Sequence, residues 1–357
     1  MNPGRVTLVV RRFTVGGLER VVAVLANELV RRDLSVQVVI LEGADLRASV
    51  TELDPQVQVH VLQGGTSARL RRLRELAAGG IVHLHLADGL IHPRVRWALR
   101  GHPAVFVSYH SDYTPVRNRF TNRLDRAITG RSLRAIAVSE AVAAFCVREV
   151  GLRPEHVAVI CNAVAAPRSG TVQVKSAGGF VLVALATVNP HKDYGTLIRG
   201  LAALRSRGHD VSLRIIGDGP ATRTAFTTAV EAGVTAHIEW YGALWKGEIV
   251  SALLESSDVF VSASRNEGLP MSVLEALQSG LPLVLSDIAP HREVAGAAAL
   301  YFPEQDAAAF ADQVEALFDE QARMRQASLA QERSRAFSVE EFVDRHLAVY
   351  AAAGPAA

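Results

Sequence analysis

The sequence predicts an α/β protein made of two doubly wound, mostly parallel sheets. A chain of 357 residues exceeds what one hydrophobic core usually supports. Short apolar runs alternate with helical patterns along both halves, the signature of strand, helix, strand units. Between Val164 and Gly179 the segment VAAPRSGTVQVKSAGG loses that pattern and gains small and Pro/Gly residues, as a linker does. The expected division is therefore residues 1–164, a linker 165–179, a second domain 180–337 and a last segment 338–357.

Composition narrows the class. With 49% hydrophobic and 21% charged residues the chain is globular rather than disordered. Two cysteines, Cys146 and Cys161, make no metal or disulfide framework, so a reducing cytoplasm is the expected setting. No run of about eighteen apolar residues suggests a membrane span, and a strand opens almost at once where a signal peptide would lie. The net charge of +2 hides an asymmetry, because residues 1–165 hold 22 arginines and no lysine against 14 acidic residues. A basic half of this kind suits nucleic acid, a membrane surface or an anionic substrate.

Taken in order, Arg5 to Arg11 reads as a buried strand, and FTVGGLE turns it into a helix from Leu18 to Arg31. Gly16 and Gly17 in that turn let backbone approach a ligand closely. No G-x-G-x-x-G follows the first strand, which argues against a dinucleotide-dependent oxidoreductase. Strands follow at Val36–Leu41, Val57–Leu62, Ile81–His85, Ala104–Ser108, Ala135–Val138 and Val157–Ile160. His83 and His85 alternate on one face of their strand, and His110 sits just past another, in SYHSDY. From Thr114 to Arg134 a helical pattern places Phe120, Leu124, Ala127 and Ile128 on one side and arginines, among them Arg117, Arg119, Arg123 and Arg126, on the other. Peripheral attachment to anionic lipid is one reading of that helix, helped by Arg69, Arg71, Arg72 and Arg74; a solvated surface helix is the other. Nucleic acid is not expected, since no aromatic interleaving accompanies the charge.

The second half opens with the strand Phe180–Ala186 and TVNPHKDYGTLIRGLAAL, and continues with Val211–Ile216 and the turn Gly217-Asp218-Gly219-Pro220. After His237–Tyr241 comes Gly242-Ala243-Leu244-Trp245, and the sheet is expected to close with Val259–Ser262 and Leu283–Ser286. Those last two strands bracket SASRNEGLPMSVLEALQSGLPLVLSD, a helix entered at Leu269-Pro270-Met271 and ended by Gly280-Leu281-Pro282. With Pro270 as first helical residue, the backbone N–H groups of Met271, Ser272 and Val273 are left to bind an anion such as a diphosphate. Glu267 and Glu275 must then aim past it at hydroxyls, which describes a ligand made of sugar, diphosphate and ribose.

The E-x7-E spacing within EGLPMSVLEALQSGLPLVLSD resembles the donor-site signature of the retaining glycosyltransferases of family 4. The resemblance runs over nearly the whole chain and is strongest from Phe180 to Arg292. It implies the GT-B fold, two Rossmann-like domains facing a central cleft, with residues 1–164 binding acceptor, 180–337 binding a nucleotide-sugar, and Val339–Tyr350 crossing back to the first domain. It implies that Glu267 meets the donor sugar and Glu275 the ribose, that Gly268, Leu269, Pro270, Met271 and Ser272 line the donor, and that Gly16 and Gly17 lie near its phosphates. Gly217 and Leu244 would border the rest of the nucleotide, His110 would stand beside the sugar and acceptor, and His85 would be a second acceptor-binding residue.

Where the family has an Arg and a Lys on the diphosphate, Lys192 matches the Lys while Thr187 occupies the Arg position. Ile160-Cys161-Asn162 resembles the family's strand and Asn-Gly ending, with Ala163 in place of the Gly. The implied chemistry is retaining transfer from a nucleotide-sugar to a glycan or lipid-linked acceptor, with no cofactor and no metal, for no D-x-D pair ends a strand. Catalysis would rest on His110, Glu267 and Lys192. A glycoside hydrolase and a nucleotide-sugar-binding protein without turnover are the rival classes.

Overall fold

A computed structural model describes residues 4–13, 16–42, 53–86, 93–111, 119–129, 134–164, 179–244 and 247–352. The chain divides into two compact units, Met1–Val164 with Ser338–Ala357, and Ala165–Phe337. The candidate linker 165–178, Arg117, Arg131 and Trp245 fall outside the described residues.

The first unit is a parallel sheet of β1 (Arg5–Val10), β2 (Ser35–Ile40), β3 (Gln58–Val61), β4 (Ile81–Leu86), β5 (Val105–Tyr109), β6 (Arg134–Ala137) and β7 (Val157–Val159). Its strands lie in the order β3-β2-β1-β4-β5-β6-β7, every pairing parallel. β1 is buried from Val6 to Val10, as a central strand covered on both faces must be. Helix α1 (Gly17–Arg31) buries Val21, Val22, Leu25, Ala26 and Leu29, the helical spacing read from the sequence. Helices α2 (Thr66–Ala77), α3 (Pro93–Ala98), α4 (Arg119–Thr129) and α5 (Glu140–Phe145) follow, the last capped by Ser139 Oγ, which accepts from the Val142 amide at 3.1 Å.

The second unit is a smaller parallel sheet of β8 (Phe180–Leu185), β9 (Val211–Ile216), β10 (Ile238–Gly242), β11 (Val259–Ser262), β12 (Leu283–Ser286) and β13 (Ala299–Phe302), ordered β10-β9-β8-β11-β12-β13. Between them run α6 (Tyr194–Ser206), α7 (Thr222–Glu231), α8 (Gly247–Glu255), α9 (Met271–Gln278) and α10 (Ala289–Ala295), then α11 (Ala307–Glu315) and α12 (Glu320–Ser334). Gly200 lets α6 and α11 meet: a Cβ there would stand 2.1 Å from the Phe310 ring, itself fully buried. Arg214 is wholly buried in β9 and is satisfied by Glu239 at 3.0 Å and by the carbonyl and hydroxyl of Ser256 at 2.9 and 2.8 Å.

One strand exceeds expectation. The sheet closes not with Leu283–Ser286 but with β13, paired Leu283 to Ala299 through Ser286 to Phe302. Its run ALYF is too short to carry a period of its own and follows a helix within a few residues, so only pairing with β12 reveals it.

Helix α13 (Val339–Ala351) begins at Ser338, whose Oγ accepts from the Glu341 amide at 3.2 Å, and it belongs to the first unit. Arg32 of that unit pairs with Asp344 and donates to the Glu340 carbonyl at 3.3 Å, and Tyr350 reaches the sheet.

Candidate active site

Both sheets reverse their strand order once, and a crevice forms at the carboxyl ends of strands where loops leave in opposite directions. In the second unit the reversal lies between β8 and β11, and both loops leaving those strands carry candidate residues. The β8 loop runs through exposed Thr187 into the short turn Pro190–Lys192, and the β11 loop runs through Arg265 to Glu267. Two bonds stitch the loops together: the Arg265 amide donates to the His191 carbonyl at 2.8 Å and its guanidinium to the Pro190 carbonyl at 2.9 Å.

Held in this way, Lys192 Nζ forms an ion pair with Glu267 Oε1, their side chains only 15% and 10% exposed. Burial pushes the Glu267 carboxyl up, but the Lys192 ammonium, His291 and the Ser264 hydroxyl outweigh it and bring the group below the usual carboxylate range. Tyr194, which opens α6, has its phenol raised by burial and then by Glu267, and it donates to the Ala186 carbonyl at 3.1 Å.

The helix after Glu267 starts one residue later than the sequence suggests. Pro270 is the N-cap and Met271 the first helical residue. The Val273 amide is not left over for a ligand, because it donates to the Pro270 carbonyl at 3.0 Å. That tightening of the first turn leaves Met271 and Ser272 as the helix-start donors. Gly268, Leu269 and Pro270 are buried, and Glu275 is half-buried in the second turn. Gly280, with φ of 68°, ends the helix, and the Leu281 amide returns to the Ala276 carbonyl at 3.1 Å.

Gly217 follows β9 with φ of 144°, and a Cβ there would lie 1.9 Å from the Ala186 carbonyl, so only glycine fits against the β8 loop. Its amide donates to the Gly242 carbonyl at 2.8 Å, which brings the loop of Leu244 beside it. Sequence reading does not single out His291. It is fully buried, donates Nδ1–H to the Ser286 carbonyl at 2.8 Å, and keeps its Nε2 buried without a partner among the described residues, within the electrostatic reach of Glu267. No sequence signal marks it, since its place near Glu267 depends on how α10 returns to the β12 edge.

In the first unit the reversal lies between β1 and β4. Gly16 caps α1 and Gly17 begins it, just past β1. His85 lies near the end of β4 and His110 just past β5, with His85 Nδ1 and His110 Nε2 at 3.0 Å. His83, 0% exposed, and His85, 1% exposed, are both core groups. His83 bonds Tyr350 and Ser108 hydroxyls at 2.7 Å each. The Arg-rich α4 leaves Phe120 73% exposed rather than packed with Leu124, so the apolar face expected of it is only partly covered. A cavity of about 630 Å³ is lined by Leu84, Val107 and Leu124 together with Arg94, Arg100 and the 62% exposed Trp97. Among the described residues no group of His, Cys, Asp and Glu has the arrangement of a metal site, and no helix is long and apolar enough to cross a membrane.

Two family profiles match the chain: "Glycosyltransferase Family 4" over residues 15–167 and "Glycosyl transferases group 1" over residues 171–334. The chain belongs to the family-4 glycosyltransferases. Its fold is that of the GT-B members of this family: the structure of Anabaena HepE in complex with UDP and glucose superposes with a TM-score of 0.83 at 17% identity, covering 98% of this chain and 99% of that one. Among curated relatives, the putative glycosyltransferase EpsD of Bacillus subtilis is 33% identical over 141 residues, which is 39% of this chain and only 36% of EpsD. The Escherichia coli UDP-Gal:α-D-GlcNAc-diphosphoundecaprenol α-1,3-galactosyltransferase is 25% identical over 226 residues, 58% of each chain.

Proposed function

We propose that this family-4 member moves a sugar from a nucleoside-diphosphate-sugar to a glycan or lipid-linked acceptor with retention of configuration and without a divalent ion, in surface-polysaccharide or glycolipid assembly. The observation that carries the reading is the placement of Lys192, Glu267 and the α9 start at the reversal between β8 and β11. That HepE holds UDP and glucose, and that the Escherichia coli relative uses UDP-Gal, supports a nucleotide-sugar as donor.

The diphosphate takes the Lys192 ammonium and the amides of Met271 and Ser272, exchanging one partner of Lys192 for another. Glu267, released from that pairing, holds sugar hydroxyls, and Glu275 holds the ribose. As the bond from the anomeric carbon to the diphosphate breaks, negative charge grows on the leaving phosphate, where the ammonium and the helix start are fixed in advance. The acceptor oxygen bonds to the same face of the anomeric carbon, and its proton passes to a phosphate oxygen of the leaving diphosphate. Thr187 leaves one cation fewer than the family pattern, and Arg265, anchored on Pro190, supplies a second positive charge beside the Lys192 turn. His110 of the first unit positions the reacting groups.

For the acceptor side, the cavity between sheet and helices of the first unit has apolar walls, a rim of Arg94 and Arg100, and exposed Trp97. An apolar chain with a phosphate head matches both features, and the Escherichia coli relative acts on a diphosphoundecaprenol-linked sugar. This favours a lipid-linked acceptor and peripheral attachment to an anionic membrane face.

A panel of nucleotide-sugars screened for thermal shift, followed by turnover of the best binder with and without EDTA, tests the reading. A stabilising donor, EDTA-resistant transfer and a product with the donor's anomeric configuration are expected. Failure of every donor to bind, or an inverted product, overturns it.

A further inference from the structure

The first unit holds a column of imidazoles that the proposed chemistry does not fully use. From the C-terminal helix toward the sheet edge come His346, His83, His85 and His110, with ring centroids 5.6, 4.2 and 5.3 Å apart. We infer that His85, enclosed in the core and expected to touch no substrate, is the positioning residue that sets which nitrogen of His110 carries its proton. This rests on the proposed role of His110 and adds to it.

Every ring in the column is neutral at ordinary pH. Burial first, and then repulsion from the neighbouring imidazoles, holds His83 and His85 well below the usual histidine range. Burial and His346 bring His110 down to about 3, and burial brings His346 to about 4. A neutral imidazole has one N–H and one lone pair. Across the 3.0 Å contact between His85 Nδ1 and His110 Nε2, one nitrogen must therefore donate and the other accept, so the tautomers of the two rings are tied.

The other nitrogen of His85 decides between the two arrangements. Its Nε2 is buried and has no partner among the described residues. A buried N–H without an acceptor is the rarer orphan in folded proteins, so this nitrogen carries the lone pair. The proton of His85 then sits on Nδ1 and is donated to His110 Nε2, which leaves the N–H of His110 on Nδ1. His110 is accordingly a hydrogen-bond donor to an oxygen and not a base that takes the acceptor's proton, a task left to the phosphate oxygen.

The stack keeps His85 from turning. His83 lies against it and is pinned by the Tyr350 hydroxyl on one side and the Ser108 hydroxyl on the other, each at 2.7 Å. His346 backs His83 and is fixed by donating Nδ1–H to the Phe342 carbonyl at 2.8 Å. Helix α13 thus bears on the His110 side chain only indirectly, through Tyr350, His83 and His85 in turn.

The test reads ring nitrogens directly, by long-range ¹H–¹⁵N spectra of the full chain labelled at histidine, with His110→Gln assigning the His110 signals. In the parent chain His110 is expected to carry its proton on Nδ1, and finding it on Nε2 would overturn the inference without any further variant. His85→Phe keeps an aromatic ring in the stack but removes the donor, and is expected to move the His110 proton partly or wholly to Nε2 and to lower kcat about tenfold with the donor KM within about twofold. His85→Asn places an amide N–H where Nδ1 was and is expected to restore both. A His110 proton that stays on Nδ1 in His85→Phe sinks the inference. So does a Tyr350→Phe chain whose His110 tautomer changes as much as that of His85→Phe, because it alters only the bond to His83. If His110→Ala turns over as fast as the parent, the proposed role of His110 fails, while the spectra still decide whether His85 sets its tautomer.

Discussion

The two units solve the same topological problem with opposite electrostatics. Each reverses its strand order once and carries candidate residues near the carboxyl ends of its central strands, yet the first unit offers neutral imidazoles on and past β4 and β5, and the second an ion pair beside a helix start. Burial explains the difference. His83, His85, His110 and His346 are packed among one another and against Phe106, Phe342 and Tyr350, where a charge would be costly, so each stays neutral and acts by orientation. Lys192 and Glu267 are nearly as enclosed, but they form an ion pair, and the Lys192 ammonium helps hold the Glu267 carboxyl below the usual carboxylate range despite its burial. In the proposed reaction the first unit would position groups and the second would stabilise the charge that develops.

The sharpest way to break that comparison is to remove charge from the second unit. Lys192→Ala is expected to lower kcat by about 10²–10³, as loss of a fixed donor to a developing anion does, while donor affinity falls far less. Glu275→Ala is expected to show the reverse pattern, with nucleoside-diphosphate affinity about tenfold weaker and kcat within about threefold. Steady-state kinetics with calorimetric binding separates the two, and equal losses of kcat and affinity in both variants would erase the assigned division of labour.

Acid should tell the units apart at an intermediate level. The unfolded chain takes up protons on histidine near 6.5, whereas folded His110 waits until about 3 and His346 until about 4, and His83 and His85 are likewise depressed. Their contribution to stability is complete above 6.5 and is lost as pH falls below it, by up to about 1.4 kcal/mol per pH unit for each ring. Glu267 acts in the same direction but at lower pH: its lowered carboxyl contributes above about 4.5, and that contribution fades only below it. The second unit has depressed imidazoles too, buried His291 and half-buried His191, so hydrogen exchange between pH 7.5 and 4.5 is expected to show the larger loss of protection in the first unit, where four buried rings are depressed. Equal loss in both units, or larger loss around β8 and β11, would contradict the neutral column.

The smallest expected effect is at the surface of the first unit. Trp97→Ala with Arg100→Gln should reduce cosedimentation with vesicles containing phosphatidylglycerol about fivefold, since one basic group near such a surface is worth on the order of 1 kcal/mol. Unchanged binding, or binding equally strong to neutral vesicles, would remove lipid as the occupant of that cavity.

Much of this was legible in the residues. Strand and helix alternation gave the two sheets, and EGLPMSVLEALQ gave the loop and helix that carry Glu267 and Glu275. Local rules suffice there because turn chemistry and helix starts depend on neighbours in sequence. They misplaced the helix start by one residue at Pro270 and assigned the Val273 amide to a ligand, because a cap is decided by backbone angles and not by residue type. They also missed β13, whose evidence is its partner and not its own pattern.

By itself, then, the sequence determined that there are two parallel α/β sheets and that acids, a lysine and a glycine-rich turn follow particular strands. The tertiary structure alone decided that Arg265 ties the Lys192 turn to the Glu267 loop, that His291 lies buried near Glu267, and that Tyr350, from the far end of the chain, braces His83. The physical reason is the same in each case. These contacts join residues separated by tens to hundreds of positions, and what fixes them is close packing and the need of each buried polar atom for a partner, neither of which is written in any local pattern.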